Sequence, residues 1–311
     1  MVLIKKMSVK LTKCSAYLPK NILTNHDLTT MVETSDEWIL KRTGIKERCI
    51  ADPTETVLDL AVKAATPLKD DPIDALIVAT YSAEARMPNI ASKVLHELEM
   101  PNVPAFDINV ACSGFVYAMS IAKTFIDSGK FKNIMIIGVD KNSKHIDWTD
   151  RNTCCLFGDG AGAVILSQSS DAKIFDFHLG CDGRYANDLK TDKNSYGDEY
   201  LDMNGKKVFK LAVSYGETLV KSAIEKLNGE LPDFIIFHQA NKRIIDSIMS
   251  DYDIPNDKVS YALEYQGNTS AASIPLALDL AIKNNQIKKG DRILMIAFGA
   301  GFAWGSVLFE Y

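Results

Sequence analysis

Cys112 stands in "FDINVACSGFVYAMSIA" (106–122), between a short strand-like run and a run that is apolar on every side of a helix. A cysteine there is either a small buried hydrophobe or a nucleophile, because the positive end of a helix favours a thiolate. His238 ends the apolar run "DFIIFH" (233–238); of the five histidines it alone ends so apolar a strand. Asn268 sits in "EYQGNTSAAS" (264–273), at a turn that precedes a second apolar helix. Read singly, His238 is a hydrogen-bonded structural imidazole or an acid–base group, and Asn268 is turn chemistry or an amide donor. The stretch "AFGAGFAWGS" (297–306) reads as a glycine-rich loop after the last strand, with backbone N–H groups free to face an anion. Together the set offers an acyl-accepting thiol, two polar side chains and an oxyanion-binding loop. Cys, His and Asn also occur together in papain-like proteases, so the residue types leave the reaction open.

The elements that must position these groups read as α/β. Buried strands are expected at "DALIVAT" (74–80), "NIMIIGV" (133–139), "GAVILS" (162–167), "DFIIFH" (233–238) and "RILMIAFG" (292–299), with helical patterns between several of them. Residues 111–138 and 271–299 share one plan: small-residue start, apolar helix, Gly-containing turn with lysine, buried strand. "DALIVATYSAEARMP" and "DFIIFHQANKRII" share another. Two duplicated halves are expected, 1–170 carrying the cysteine and 171–311 carrying the histidine and asparagine. Ligands of such folds bind at strand carboxyl ends and in the crevice between halves.

Composition narrows the classes. The chain has 311 residues, 47% hydrophobic, with a net charge of −5, so no global basic field points to nucleic acid. No apolar run is long enough to span a membrane, and the N-terminus lacks the pattern of a signal peptide. The six cysteines form no CxxC or zinc-type spacing and suit a reducing cytoplasm. "GDGAG" (158–162) lacks the Lys-Ser/Thr of a phosphate loop and precedes a strand rather than a helix, which excludes a nucleotide reading.

The stretches "SDEWILKRTGIKER", "ACSGF", "TDRNTCCLFGDGAGAV", "MNGKKVFK", "HQANKRII", "GNTSAASIP" and "GFAWGS" occur in order from near residue 35 to the end. In these motifs the chain resembles the β-ketoacyl-[acyl-carrier-protein] synthase III family. The resemblance implies a thiolase-like, five-layered αβαβα fold and a homodimer. It implies a decarboxylative Claisen condensation of an acyl-CoA, acetyl-CoA above all, with malonyl-acyl carrier protein, and no metal or redox cofactor. It makes Cys112 the acyl acceptor, His238 and Asn268 the pair promoting decarboxylation, and Phe298 the aromatic shielding the thiol. The amides of Cys112 and Ala300 would form the oxyanion hole. Trp38 and Arg151 would sandwich the adenine of coenzyme A, Gly205 and Asn241 would line the pantetheine tunnel, and Lys210 and Arg243 would dock the acidic carrier.

Two positions depart from the family pattern. Ala300 replaces the middle glycine of Gly-Gly-Gly, and Met87 stands where many members carry Phe reaching into the partner's acyl pocket. Met87 keeps open a relative of secondary metabolism using another primer. A thiolase would need a second catalytic cysteine in the late half, and none of the six lies beyond Cys181.

Overall fold

A computed structural model describes residues 8–171, 175–193 and 199–311. Its strands are β1 (Ser8–Tyr17), β2 (Asn21–Thr24), β3 (Glu47–Ile50), β4 (Ala75–Ala79), β5 (Ala105–Ile108), β6 (Asn133–Lys141), β7 (Asp159–Ser169), β8 (Phe175–Cys181), β9 (Leu189–Lys193), β10 (Glu199–Met203), β11 (Phe234–Phe237), β12 (Arg292–Gly299) and β13 (Ala303–Glu310). The β-branched apolar runs become the central strands. β4 and β11 are buried at every residue, as strands covered on both faces must be.

Two sheets carry the architecture. One has the order β1-β7-β6-β4-β5 and the other β8-β13-β12-β11. Reading from β1 and from β8, each runs antiparallel, antiparallel, then parallel. Matched strands even share their end treatment. Asp74 before β4 accepts from Asn133 N (2.9 Å), and Asp233 before β11 accepts from Arg292 N (2.9 Å). The first sheet has one strand more, β5 at its edge.

The helices Gly114–Asp127 and Ser273–Lys283 fill the space between the sheets, inside one apolar cluster that draws on both. A second cluster backs the β11–β13 face under helices Gly205–Lys226 and Lys242–Ser250. A third backs the β4–β7 face under Val57–Ala65. That is helix, sheet, helix, sheet, helix. The Cys112 helix reads apolar all round because it is the middle layer, with Phe115, Val116, Met119 and Ile126 wholly buried.

One sequence expectation changes. The glycine-rich stretch 297–306 is not a long loop. β12 continues to Gly299 and β13 starts at Ala303, so only residues 300–302 make the turn of an antiparallel hairpin. Gly299, Gly301 and Gly305 punctuate the hairpin, so the start of β13 reads as loop in the sequence.

Candidate active site

Cys112 lies in a 3-10 turn, Ala111–Ser113, that feeds the central helix. Ala111 before it takes φ +45°, a left-handed conformation held by Asn109, whose Oδ1 accepts from Ala111 N (3.2 Å). A non-glycine residue there is strained and persists because the surrounding packing dictates it. The β12 end passes so close that a Cβ on Gly299 would stand 2.9 Å from Cys112 N. Glycine is required there by space. Gly301 is favoured by its φ of +136°, whereas Ala300 between them has no left-handed φ. The departure from three glycines therefore falls at the one position of the three that tolerates a side chain.

Cys112, His238, Asn268, Phe298 and Ala300 line one cavity of about 840 Å³. His238 follows β11 and is 2% exposed; its ring meets Phe298 edge-on at 5.5 Å. Its Nδ1 lies 2.7 Å from Ser273 Oγ. Gln239 N also points at that hydroxyl (3.4 Å), so the Ser273 hydrogen is free to go to Nδ1. In the tautomer in which that hydroxyl donates to Nδ1, the ring proton sits on Nε2 and His238 is a donor to the cavity. Burial pushes the imidazole down to about 3, so it stays neutral.

Asn268 is equally constrained. Its Oδ1 accepts from Ser270 N (2.9 Å), its backbone N donates to Leu156 O (2.8 Å), and its carbonyl accepts from Gly158 N (3.0 Å). With Oδ1 used, its amide NH₂ is left for a ligand. Here "GDGAG" finds its purpose: a Cβ on Gly158 would stand 2.3 Å from Gln266 O, so the glycine lets this strand clamp the Asn268 loop.

Burial pushes the Cys112 thiol up to about 12, with the Ser270 hydroxyl the main opposing influence. The helix proper begins two residues later, at Gly114. The expectation of a ready thiolate at a helix start is thus opposed by desolvation of a thiol only 8% exposed.

Outward, the cavity becomes basic. The charged residues lining it are Arg42, Lys190, Lys206, Lys210 and Arg243, with no carboxylate among the lining residues described. Arg243 lies over the Phe209 ring at 5.4 Å. Trp38 is flanked by Arg151 at 5.0 Å and Arg42 at 5.7 Å. Arg151 also donates to Glu33 O (3.1 Å) and is not itself a lining residue. Gly205 opens a helix with only Met203 Cε near its missing Cβ, at 3.8 Å, so packing does not demand glycine there. Asn241 lines the cavity but is engaged at both ends of its amide, accepting from Arg243 N (2.9 Å) and donating to Arg42 O (3.1 Å). Met87 is 84% exposed and lies outside this cavity.

The sequence reading passed over Arg42, four residues after Trp38 and so on the same helix face. It also passed over Asp140, a carboxylate ending the apolar run of β6, though that is the signal that singled out His238. Among the described residues no group of three or more His, Cys, Asp or Glu is placed to hold a metal ion.

A thiol, a neutral imidazole and a carboxamide share one cavity of a thiolase-like fold, the fold of condensing enzymes. The chain belongs to the β-ketoacyl-[acyl-carrier-protein] synthase III family. Residues 106–183 match the family described as 3-Oxoacyl-[acyl-carrier-protein (ACP)] synthase III, and residues 224–311 match its C-terminal part. The β-ketoacyl-[acyl-carrier-protein] synthase III of Aquifex aeolicus is 45% identical over 98% of this chain and 100% of its own length. The crystal structure of 3-oxoacyl-[acyl-carrier-protein] synthase III from that organism superposes with a TM-score of 0.93, covering 98% of this chain and 100% of that one. The priming β-ketosynthase of the R1128 polyketide pathway, 31% identical, superposes with a TM-score of 0.91, covering 100% of this chain and 98% of that one.

Proposed function

We propose that this chain condenses an acyl-CoA primer with malonyl-acyl carrier protein, with loss of carbon dioxide, to start fatty-acid synthesis. The observation that carries the reading is one cavity with Cys112, His238 and Asn268 buried inside and a wholly basic charged rim. Coenzyme A is polyanionic, and so is an acidic carrier protein; a one-sign rim attracts both against a net charge of −5.

Cys112 Sγ attacks the thioester carbonyl, the backbone amides of Cys112 and Ala300 hold the oxyanion, and its collapse breaks the bond to the coenzyme sulfur, so that coenzyme A leaves as the thiol with the proton Cys112 gave up. Once acylated, the thiol no longer needs a proton acceptor. Malonyl thioester then loses carbon dioxide, and the negative charge moves to its thioester oxygen. His238 Nε2–H and the Asn268 amide donate to that oxygen, and the resulting carbanion attacks the acyl carbonyl, breaking its bond to Cys112 Sγ and releasing the β-ketoacyl thioester and the free cysteine. A neutral donor suits this step, because its proton stays on the ring.

Trp38, with Arg151 and Arg42 against it, holds the adenine, and the Gly205 and Asn241 segments flank the pantetheine. Lys210 and Arg243 meet the carrier. The free edge of the first sheet at β5 and the exposed Met87 support a homodimer in which Met87 enters the partner's acyl pocket. Six free cysteines support a reducing cytoplasm; no described helix is long and apolar enough to cross a membrane.

Incubation with mixed acyl-CoAs followed by mass spectrometry tests the reading. The expected result is an acyl adduct on Cys112 that malonyl-acyl carrier protein discharges. In Cys112→Ser, condensation should fall by roughly 10³-fold or more, since an alcohol is a far weaker nucleophile than a thiolate. An unlabelled Cys112 would sink the assignment.

A further inference from the structure

Arg48, in β3, is among the largest side chains of the protein to be wholly buried. An arginine is almost never buried without a partner for its charge. Its described hydrogen-bond partners are all neutral oxygens. Nη1 donates to Leu23 O (3.1 Å), and Nη2 donates to Asn25 Oδ1 (2.9 Å) and Cys155 O (2.8 Å). An apolar side chain of that volume would avoid the desolvation cost but could not span these three segments.

Two of those segments lead to the two sides of the Trp38 ring. Asn25 passes one contact on. Its Nδ2 donates to Asp36 Oδ1 (2.8 Å) and Ile45 O (2.8 Å), at the start and just past the end of helix Asp36–Thr43, which carries Trp38 and Arg42. Cys155 caps helix Arg151–Cys154, and its thiol donates to Arg151 O (3.3 Å). Through the single atom Nη2, Arg48 thus ties the helix that presents Trp38 to the helix that presents Arg151, whose guanidinium lies 5.0 Å from the Trp38 ring centroid. Arg151 adds a contact of its own to Glu33 O (3.1 Å), but that one is exposed, whereas the Nη2 link is buried. The Arg48 stem is itself fixed: a Cβ on Gly267, beside Asn268, would stand 2.8 Å from Arg48 Cβ.

We propose that Arg48 is a positioning residue that fixes the gap between Trp38 and Arg151, and so sets the affinity for the adenine end of coenzyme A. The proposal rests on the reading that those two side chains hold the adenine. A ring between an indole and a guanidinium gains only when both of its faces are met at contact distance. That distance is a property of the two helices, and the buried guanidinium is what joins them.

Arg48→Met keeps the stem and removes the guanidinium. In condensation assays its KM for acetyl-CoA should rise by roughly tenfold, the scale of one lost cation–π contact. Its kcat, and its kcat/KM for S-acetyl-pantetheine, which lacks the nucleotide, should stay within about twofold of wild type. In a Trp38→Ala background the same change should add less than about twofold, because the two residues act as a unit. Should Arg48→Met fail to fold, the exposed Asp36 decides. Asp36→Ala cuts the link and should raise KM for acetyl-CoA about threefold, as for one hydrogen bond, although removal of a negative charge would by itself favour a polyanion. Asp36→Asn keeps an accepting oxygen and should not raise it. Equal losses with acetyl-CoA and S-acetyl-pantetheine, additive effects of Arg48→Met and Trp38→Ala, or an unchanged KM for acetyl-CoA would overturn the assignment. If Trp38→Ala itself leaves KM for acetyl-CoA unchanged, the adenine reading falls and the assignment with it. If Trp38→Ala raises KM and the Arg48 and Asp36 variants do not, only Arg48 loses its role.

Discussion

The Cys112 turn and the Ser270 turn are the same structure made twice and used in opposite ways. In each, an asparagine accepts from a left-handed residue two positions on: Asn109 from Ala111 and Asn268 from Ser270. In each, a 3-10 turn follows and then a central helix. This matches Cys112 with Ala271, one residue away from the pairing that "ACSG" and "AASI" suggest by eye. The decisive difference lies on the neighbouring strand. The pairings Ala75 with Ile134 and Phe234 with Ile293 set β6 and β12 in the same register, so Asp140 and Gly299 are counterparts. Asp140 fills the space at Ala271 N with a carboxylate. Gly299 leaves the space at Cys112 N without a side chain. One half closes its turn on an internal anion; the other keeps the equivalent amide next to an open cavity, where a substrate oxyanion can take the same position.

Gly299→Ala attacks that difference directly. Its Cβ would stand 2.9 Å from Cys112 N, so the turn must shift. Loading should fall by roughly 10²–10³-fold, as when an oxyanion donor is lost. Single-turnover acylation measures it, and Ala300→Gly, beside it, should change the rate by less than about threefold, far short of that loss. Comparable losses in both variants would mean that general loop mobility, not clearance at Cys112, sets the rate.

Asn268→Ala separates the two turns by reaction step. Loading onto Cys112 should persist, while malonyl decarboxylation should drop by about 10²-fold, since one of two donors to the developing oxygen charge is gone. Parallel losses in both half-reactions would assign Asn268 to the scaffold.

His238 makes a pH prediction with a definite sign. The unfolded chain binds a proton below about pH 6.5, whereas the buried native imidazole does so only near 3. This contribution is constant above 6.5, and native stability falls as pH drops from there towards 3, by at most about 1.4 kcal/mol per unit. Urea midpoints at pH 7.5 and 5.0 should therefore separate more for wild type than for His238→Asn. Equal separations would show that His238 is not held neutral. Decarboxylation itself should show no acid limb near 6.5.

The smallest effect is expected at the rim. Arg243→Glu should raise KM for malonyl-acyl carrier protein several-fold at low salt, with the penalty shrinking as salt is added and acetyl-CoA loading little changed. A salt-independent loss with both substrates would place Arg243 in the shared tunnel instead.

What the sequence determined by itself was local: buried β-branched runs, an all-apolar helix after Cys112, and polar residues left at the ends of those runs. Burial and periodicity follow from neighbours in the chain, so β4, β6, β11 and β12 were legible, while β13, whose first half carries Gly305 and Ser306 straight after a Gly-containing turn, was not. The family motifs likewise brought out Cys112, His238, Asn268, Trp38 and Arg243, because each sits in a short distinctive stretch. Only the tertiary structure decided which nitrogen of His238 faces the cavity, because Ser273 and Gln239 make that choice through the fold. The tertiary structure also placed Asp140 beneath the Ser270 turn, across 130 residues of chain, as sheet register set the two halves face to face. Hydrogen bonds between distant segments depend on how layers stack, and no local pattern of residue types encodes that stacking.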